Sequence, residues 1–192
     1  MTDSPLIESP QPPTARPFAA MLIGAGLIAI GIMFYMLLSQ QDVSSQDFSA
    51  VPVKVDYPAP KLDLVDLSGK SVSLDDYLGS VVLVNLWATW CPPCREEMPT
   101  LQTFYEKYKE DGFVLLGVDQ EETAAVVQPF VEEFGLTFPV WLDLDYLAQR
   151  EFNTMNLPSS YVIDRSGTVR LMWIGGISKR NLEKYVPDLI AE

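Results

Sequence analysis

The pattern of apolar and polar residues divides the chain into one long apolar run near the N-terminus and many short segments after residue 59. Residues 18–38 contain 21 residues without a charge. At 1.5 Å per residue, a helix of this length matches the ~30 Å hydrocarbon core of a bilayer. A cleaved signal peptide usually has only ~7–15 apolar residues. The run therefore predicts an uncleaved transmembrane helix over 18–38.

Polar, proline-containing segments lie on both sides of this run. Residues 1–17 carry too little apolar surface to fold, so they predict a disordered tail. Arg16 precedes the run and Asp42 follows it, so the positive-inside rule places the tail in the cytoplasm and the rest of the chain outside. Residues 39–58 predict a flexible linker. We therefore expect a single-pass protein of the cell membrane with an extracytoplasmic domain over 59–192.

Alternating and continuous apolar segments after residue 59 predict a mixed α/β domain. The runs 81–87 and 113–119 are almost wholly apolar, which is typical of buried parallel strands. Two alternating pairs of segments, each around a glycine turn, predict β-hairpins. The predicted strands are 62–67, 71–74, 81–87, 113–119, 138–142, 160–163 and 168–174, and the predicted helices are 75–79, 92–111, 123–134, 146–152 and 179–190. This order predicts a mixed sheet covered by helices on both faces.

Composition excludes several classes of function. The chain has 13 basic residues against 26 acidic ones and no basic cluster, so a nucleic-acid partner is not expected. It has no histidine, which excludes Ser/His/Asp and Cys/His nucleophilic sites and every metal site that needs an imidazole. Two cysteines do not fill a tetrahedral zinc site, so only a Cys₄ site shared by two chains stays open. We expect neither a metal nor a cofactor.

The two cysteines stand at the junction between a predicted strand and a predicted helix. Cys91 and Cys94 have Pro92 and Pro93 between them, and they can form and reopen a small disulfide ring. The positive end of the helix dipole favours a thiolate at Cys91. A purely structural disulfide is the competing interpretation, but so short a loop constrains the unfolded chain little. The motif therefore favours thiol–disulfide exchange, with Cys91 as the attacking thiol and Cys94 as the resolving thiol.

Longer motifs around the cysteines resemble those of a known family. The residues Val-Asn-Leu-Trp-Ala-Thr-Trp-Cys-x-x-Cys at 84–94, Glu-Glu-Met-Pro at 96–99 and Leu-Pro-Ser-Ser-Tyr-Val-Ile-Asp at 157–164 resemble the TlpA/ResA-like membrane-anchored thiol–disulfide oxidoreductases. The resemblance implies a thioredoxin-like fold with an N-terminal β-hairpin and a central insertion. It also implies a reductant of protein disulfides, often those of apocytochrome c before haem attachment, that is re-reduced by a membrane electron donor.

The resemblance also suggests roles for further residues. Glu97 follows Cys94 by three residues on the same helical face, where it would accept and return a proton. The alternative is an acid that only complements the helix dipole. Pro158 would be a cis-proline beside the redox disulfide Cys91–Cys94, leaving the backbone of Leu157 to pair with an extended substrate. The predicted substrate contacts are Trp90, Pro92, Pro93, Leu157 and Pro158.

Some features depart from related patterns and leave alternatives open. Asn85 stands where classical thioredoxins carry a buried aspartate, so that proton-transfer group is missing. The sequence near Pro158 also lacks the Gly-Ala-Pro-Glu-Thr signature of one cytochrome-maturation subgroup. A general extracytoplasmic oxidase or isomerase, or a non-catalytic redox chaperone or assembly module, therefore stays open. We expect the protein to be a monomer.

Overall fold

The computed structural model describes Leu27 and residues 30–34 and 51–192. Within these residues, no helix combines the length and the apolar character that crossing a membrane requires. Leu27 and residues 30–34 are helical. The chain divides into two units, Met1–Ser44 and Ser45–Glu192, and the second contains the sheet.

Three predictions concern segments that lie wholly or mostly outside the described residues. They are the disordered tail over 1–17, the greater part of the transmembrane helix over 18–38, and residues 39–50 of the linker. They stay predictions.

The described part of the second unit forms one sheet with helices around it. The strands are β1 (Val53–Pro58), β2 (Asp63–Asp66), β3 (Ser71–Ser73), β4 (Val81–Trp87), β5 (Phe113–Gln120), β6 (Val140–Asp143), β7 (Ser159–Ile163) and β8 (Thr168–Ile174). The helices are α1 (Pro92–Tyr108), α2 (Ala124–Phe134), α3 (Leu147–Glu151), α4 (Lys179–Tyr185) and α5 (Pro187–Ala191), with 3₁₀ turns at Leu74–Tyr77 and Lys109–Asp111.

The strand order across the sheet is β1-β8-β7-β4-β5-β6-β2-β3. The central strands β4, β5 and β6 are parallel, whereas the strands on both sides of them pair antiparallel. This arrangement confirms the predicted mixed sheet, and it places the carboxyl ends of the three parallel strands at one edge.

Strand β4 supports both halves of the core, because all seven of its residues are buried. Successive side chains of a strand point to opposite faces of the sheet. Val81, Leu83 and Trp87 pack into one apolar cluster with α1, whereas Val82 and Val84 pack into a second cluster that includes residues of α3 and β7. Helices therefore cover both faces, as the sequence predicts, and β4 ends beneath the cysteines.

The predicted linker boundary is wrong at its C-terminal end. Residues 53–58 form β1, which pairs antiparallel with β8, for example Val53 with Met172. The reason lies in the alternation of this short segment: Val55 and Tyr57 are half-buried and pack against the second apolar cluster. The ordered domain therefore begins before residue 59.

The C-terminal helix is shorter than the periodicity predicts. Residues 179–190 form two helices, α4 and α5, which meet at Val186. Pro187 lacks the N–H that a continuous helix needs and starts α5 instead.

Candidate active site

The two cysteines lie at the junction between β4 and α1. Cys91 is the N-cap residue of α1, and its sulfur accepts a hydrogen bond from the Cys94 N–H at 3.3 Å. A disulfide joins the two residues, with 5.3 Å between their Cα atoms. Cys91 is 3% exposed and Cys94 is fully buried, so the accessible sulfur is that of Cys91. This geometry suits Cys91 to attack and Cys94 to resolve.

The prolines between the cysteines start the helix. Pro92 and Pro93 are exposed and occupy its first two positions, where an N–H would have no partner within the helix. Neither has an N–H to donate to the Cys91 sulfur. A Cys91 thiolate would therefore be stabilised by the Cys94 N–H and the helix dipole.

A buried carboxyl group lies one helical turn beyond Cys94. Glu97 is 4% exposed. Its Oε1 accepts a hydrogen bond from Asn85 Nδ2 at 2.8 Å, and its Oε2 accepts one from the Ile177 N–H at 2.7 Å. Burial raises the pKa of Glu97 to about 8, against the opposing effect of these two donors. The group is therefore able to exchange a proton near neutral pH.

Asn85 takes part in this arrangement from the strand below. Its side-chain nitrogen donates to Glu97 Oε1 and also to Ser160 Oγ, at 2.9 Å. Asn85 stands where classical thioredoxins carry a buried aspartate, and it is not itself an acid. Its side chain instead donates a hydrogen bond to Glu97, the acid on α1.

The segment before β7 forms another wall beside the cysteines. The Leu157–Pro158 peptide bond is cis. Pro158 is buried, and its carbonyl accepts a hydrogen bond from the Gly175 N–H at 2.8 Å. Leu157 is half-buried and faces the same groove as Cys91.

An apolar groove of about 630 Å³ opens on Cys91. Its most exposed apolar side chains are Trp90, at 67% exposure, and Met155, at 86%. Apolar side chains with a few polar groups are typical of a binding groove. The groove is lined by Trp90, Cys91, Pro92, Pro93, Gln120, Tyr146, Gln149, Arg150, Met155 and Leu157.

Within the described residues, no three acidic, cysteine or histidine side chains are arranged to hold a metal ion.

Comparison with known proteins identifies the family. Residues 55–172, more than half of the chain, match the AhpC/TSA family. The chain belongs to the AhpC/TSA family. Thiol-disulfide oxidoreductase ResA from Bacillus thuringiensis (strain Al Hakam) is 39% identical over 131 residues, which are 68% of this chain and 76% of that protein. ResA from Geobacillus kaustophilus is 36% identical over 137 residues, which are 71% of this chain and 79% of that protein.

Solved structures agree with this assignment. A thiol:disulfide interchange protein of the thioredoxin family from Chlorobium tepidum is 30% identical, with a TM-score of 0.64 over 72% of this chain and 99% of that one. This AhpC/TSA family member is a thiol–disulfide oxidoreductase with a thioredoxin-like α/β fold. The predicted thioredoxin-like fold of the domain and the predicted enzyme class are therefore confirmed.

The predicted site residues of this family member fall into two groups, those that line the groove and those that are buried. Trp90, Pro92, Pro93 and Leu157 surround Cys91 in the groove. The remaining predicted residues, Cys94, Glu97 and Pro158, are buried, and they do not line it.

Five groove residues of this family member were missed by sequence reasoning. They lie far apart in the chain, at the end of β5, around α3 and before the cis-proline. The signal that points to some of them is topological, because neighbouring parallel strands end at the same edge of a sheet. The missed residues are Gln120, Tyr146, Gln149, Arg150 and Met155.

Proposed function

We propose that this protein is a membrane-tethered, extracytoplasmic oxidoreductase that reduces protein disulfides, with apocytochrome c cysteines before haem attachment as a substrate. The observation that carries the chemistry is an apolar groove that opens on Cys91, with the buried acid Glu97 one turn beyond Cys94. The apolar run 18–38 supports the tether, and the family resemblance supports the substrate.

The first step is attack by Cys91 on the substrate disulfide. The Cys91 thiolate forms a bond to one substrate sulfur, and the substrate S–S bond breaks. The other substrate sulfur leaves as a thiolate and takes a proton from solvent. The product of this step is a mixed disulfide between the protein and its substrate.

The second step is resolution by Cys94. Glu97 accepts the Cys94 proton, and the resulting thiolate attacks the Cys91 sulfur, which releases the second substrate sulfur. Two electrons have then passed from the Cys91–Cys94 dithiol to the substrate, which leaves with both cysteines reduced. With its pKa raised to about 8, Glu97 is mostly protonated at neutral pH, and the form that accepts the Cys94 proton is its ionised fraction, about a tenth at pH 7.

The groove favours an unfolded polypeptide as the substrate. An extended segment that pairs with the backbone at Leu157 would bring its disulfide to Cys91, and Trp90 and Met155 would contact its apolar side chains.

The protein passes electrons to its substrate only while another molecule keeps Cys91 and Cys94 reduced. In an oxidising compartment a dithiol is lost unless it is regenerated, so a reductant there needs a membrane dithiol donor. The proposal therefore includes such a donor as the second partner of the protein.

Trapping experiments test the roles of the cysteines. Cys94→Ser should accumulate mixed disulfides with substrate proteins, because the resolving thiol is gone, whereas Cys91→Ser should accumulate few. The complexes are separated on non-reducing gels and identified by mass spectrometry. Equal trapping by the two variants contradicts the assigned roles.

Equilibration with glutathione tests whether the protein acts as a reductant or as an oxidant. We expect a reduction potential near or below about −250 mV, the range in which a dithiol serves as a reductant. A value near about −120 mV is that of an oxidant and would instead favour the oxidase alternative.

Carbonate extraction of membranes tests whether the protein is anchored in the membrane. Protease treatment of intact cells tests on which side of the membrane the domain lies.

A further inference from the structure

One carboxylate holds the turn that leads from β4 to Cys91. The turn consists of Ala88, Thr89 and Trp90. The Thr89 N–H donates to Glu122 Oε2 at 2.6 Å, and Thr89 Oγ1 donates to Glu122 Oε1 at 2.7 Å. Glu122 lies 33 residues further along the chain, between β5 and α2. Two short hydrogen bonds to one charged group fix both the position and the orientation of the turn.

The carbonyl of Thr89 is held from another side. Arg95 Nη1 of α1 donates to Thr89 O at 3.3 Å, and Nη2 of the same guanidinium contacts Glu133 of α2 at 3.2 Å. The guanidinium also lies over the rings of Phe130 and Phe134, 4.9 and 5.0 Å from their centroids. The N–H, the hydroxyl and the carbonyl of Thr89 are therefore all bound by side chains.

The backbone before Glu122 adopts a conformation that costs free energy. Glu121 has a φ of 66°, in the left-handed region that glycine adopts most readily. A residue other than glycine stays there only when its surroundings hold it. The Glu121 N–H donates to Asp143 O at 2.9 Å, and the next side chain is the one that reaches Thr89.

A second acid lies beneath this contact. Asp119 near the end of β5 is completely buried. Burial, followed by the neighbouring carboxyl of Glu122 and with a contribution from Asp143 of β6, raises the pKa of Asp119 to about 8. At neutral pH Asp119 therefore keeps its proton, and Glu122 has no second buried negative charge beside it.

We propose that Glu122 is a positioning residue for thiol–disulfide exchange, because its carboxylate holds the turn that presents Trp90 and Cys91 to the groove. It acts through Thr89, and no contact places it at a sulfur. The inference rests on the proposed role of Cys91 as the attacking thiol. Small displacements of a reacting group cost large factors in rate, since attack requires alignment of the reacting atoms.

The first test is Glu122→Gln, which keeps the size of the side chain. In glutamine an NH₂ group replaces one carboxylate oxygen, so the two acceptor oxygens that Glu122 offers to Thr89 become one, and the negative charge is lost. We expect the rate constant for attack by the reduced protein on oxidised glutathione to fall about tenfold or more. The matched control is Glu132→Gln on α2, an exposed residue bonded to Gln128, which should react at the wild-type rate.

Substitutions at Thr89 test the same contact from its other end. Thr89→Ser keeps both donors and should react like the wild type, whereas Thr89→Val loses the hydroxyl donor and should react more slowly. This pair also serves if Glu122→Gln does not fold.

The Thr89 amide proton gives a readout that does not depend on turnover. A short hydrogen bond to a carboxylate moves an amide proton downfield, so its NMR shift in the oxidised protein should move upfield in Glu122→Gln. An altered shift with wild-type attack rates overturns the positioning role, and so does an unchanged shift with wild-type rates. Failure of the trapping experiment would be distinct, because it overturns the cysteine roles and leaves the altered amide shift in place.

Discussion

At the scale of single residues, Glu97 is a carboxyl group in a place where an apolar side chain would be the ordinary choice. It packs among core residues at 4% exposure, yet Asn85 and the Ile177 N–H each donate to it. An ionised acid in such a place is costly, and the protonated form is favoured up to a pH of about 8. The protein therefore maintains a group that changes charge within the working pH range.

Replacement of Glu97 by glutamine should separate the two chemical steps. In Glu97→Gln the first attack by Cys91 should change little, whereas resolution by Cys94 should slow by about 10²–10⁴, the usual contribution of a positioned proton acceptor. Rapid acid quenching followed by mass spectrometry measures the mixed disulfide, which should accumulate. If Cys94 resolves the mixed disulfide in this variant at the wild-type rate, Glu97 only complements the helix dipole.

The same residue should make stability depend on pH. Its pKa is 4.5 as the reference value and about 8 in the folded protein, so between these values only the folded state keeps the proton. The contribution of Glu97 to the free energy of unfolding should therefore be largest below pH 4.5, fall as the pH rises toward 8, and level off above 8. The slope from Glu97 is at most about 1.4 kcal/mol per pH unit.

Chemical denaturation of the oxidised protein measures this slope without titration of the cysteines. Glu97→Gln should flatten it in part, and Asp119→Asn should do the same because the pKa of Asp119 is also raised to about 8. The exposed neighbour provides the control, since Glu96→Gln should leave the slope unchanged. A slope that survives both buried-acid substitutions would contradict the prediction.

Residue spacing placed Glu97 on the helical face of Cys94 but left its role open, and it could not reveal the hydrogen-bond partners of the acid. Three positions along a helix place Glu97 on the face of Cys94. Asn85 lies on the strand below, and Ile177 lies 80 residues away in sequence, so only the folded chain brings these donors to the carboxyl group. For the same reason the contact between Thr89 and Glu122 has no local sequence signal.

At the scale of elements, strand β1 shows why the predicted domain boundary was misplaced. The strand is short, and only Val55 and Tyr57 of its six residues turn toward the core side. Its pairing partner β8 stands more than a hundred residues later, so the segment looks like polar linker in sequence. The continuous apolar runs of β4 and β5 come from burial on both faces, and the sequence shows them without knowledge of the partner strands.

Substitutions in β1 test whether this strand contributes to stability. Tyr57→Ala should lower the free energy of unfolding by roughly 1–2 kcal/mol, less than the 3–5 kcal/mol for a fully buried aromatic residue, since Tyr57 is only half-buried. Lys54→Ala, at an exposed position of the same strand, should have almost no effect. The measurement is urea denaturation of both variants, and equal midpoints would show that β1 is not part of the cooperative unit.

At the scale of the whole molecule, the main property that the sequence predicts is charge. The net charge is −13 at pH 7. A field of one sign attracts oppositely charged partners and speeds their encounter, and salt weakens this attraction. The groove has a different character, because its lining is largely apolar and includes Arg150.

The net charge of the protein should therefore affect the rate at which a substrate meets it more than the binding of that substrate in the groove. A basic peptide disulfide should be reduced faster than an acidic peptide of the same length at low ionic strength. The ratio of the two second-order rate constants should approach one as sodium chloride rises to 1 M, where the Debye length is ~3 Å. Stopped-flow tryptophan fluorescence measures both rates. A ratio that does not change with salt would assign the preference to contacts within the groove.

The burial of Glu97 also determines where the Cys94 proton goes during turnover. With 4% of its surface exposed, the acid has little contact with bulk water. The proton taken from Cys94 during oxidation would then remain stored beside the sulfur until a donor reduces the disulfide, when the same site returns it. The oxidised and reduced forms of the protein would then differ by two electrons and by the location of one proton, which moves between Cys94 and Glu97 without passing through solvent.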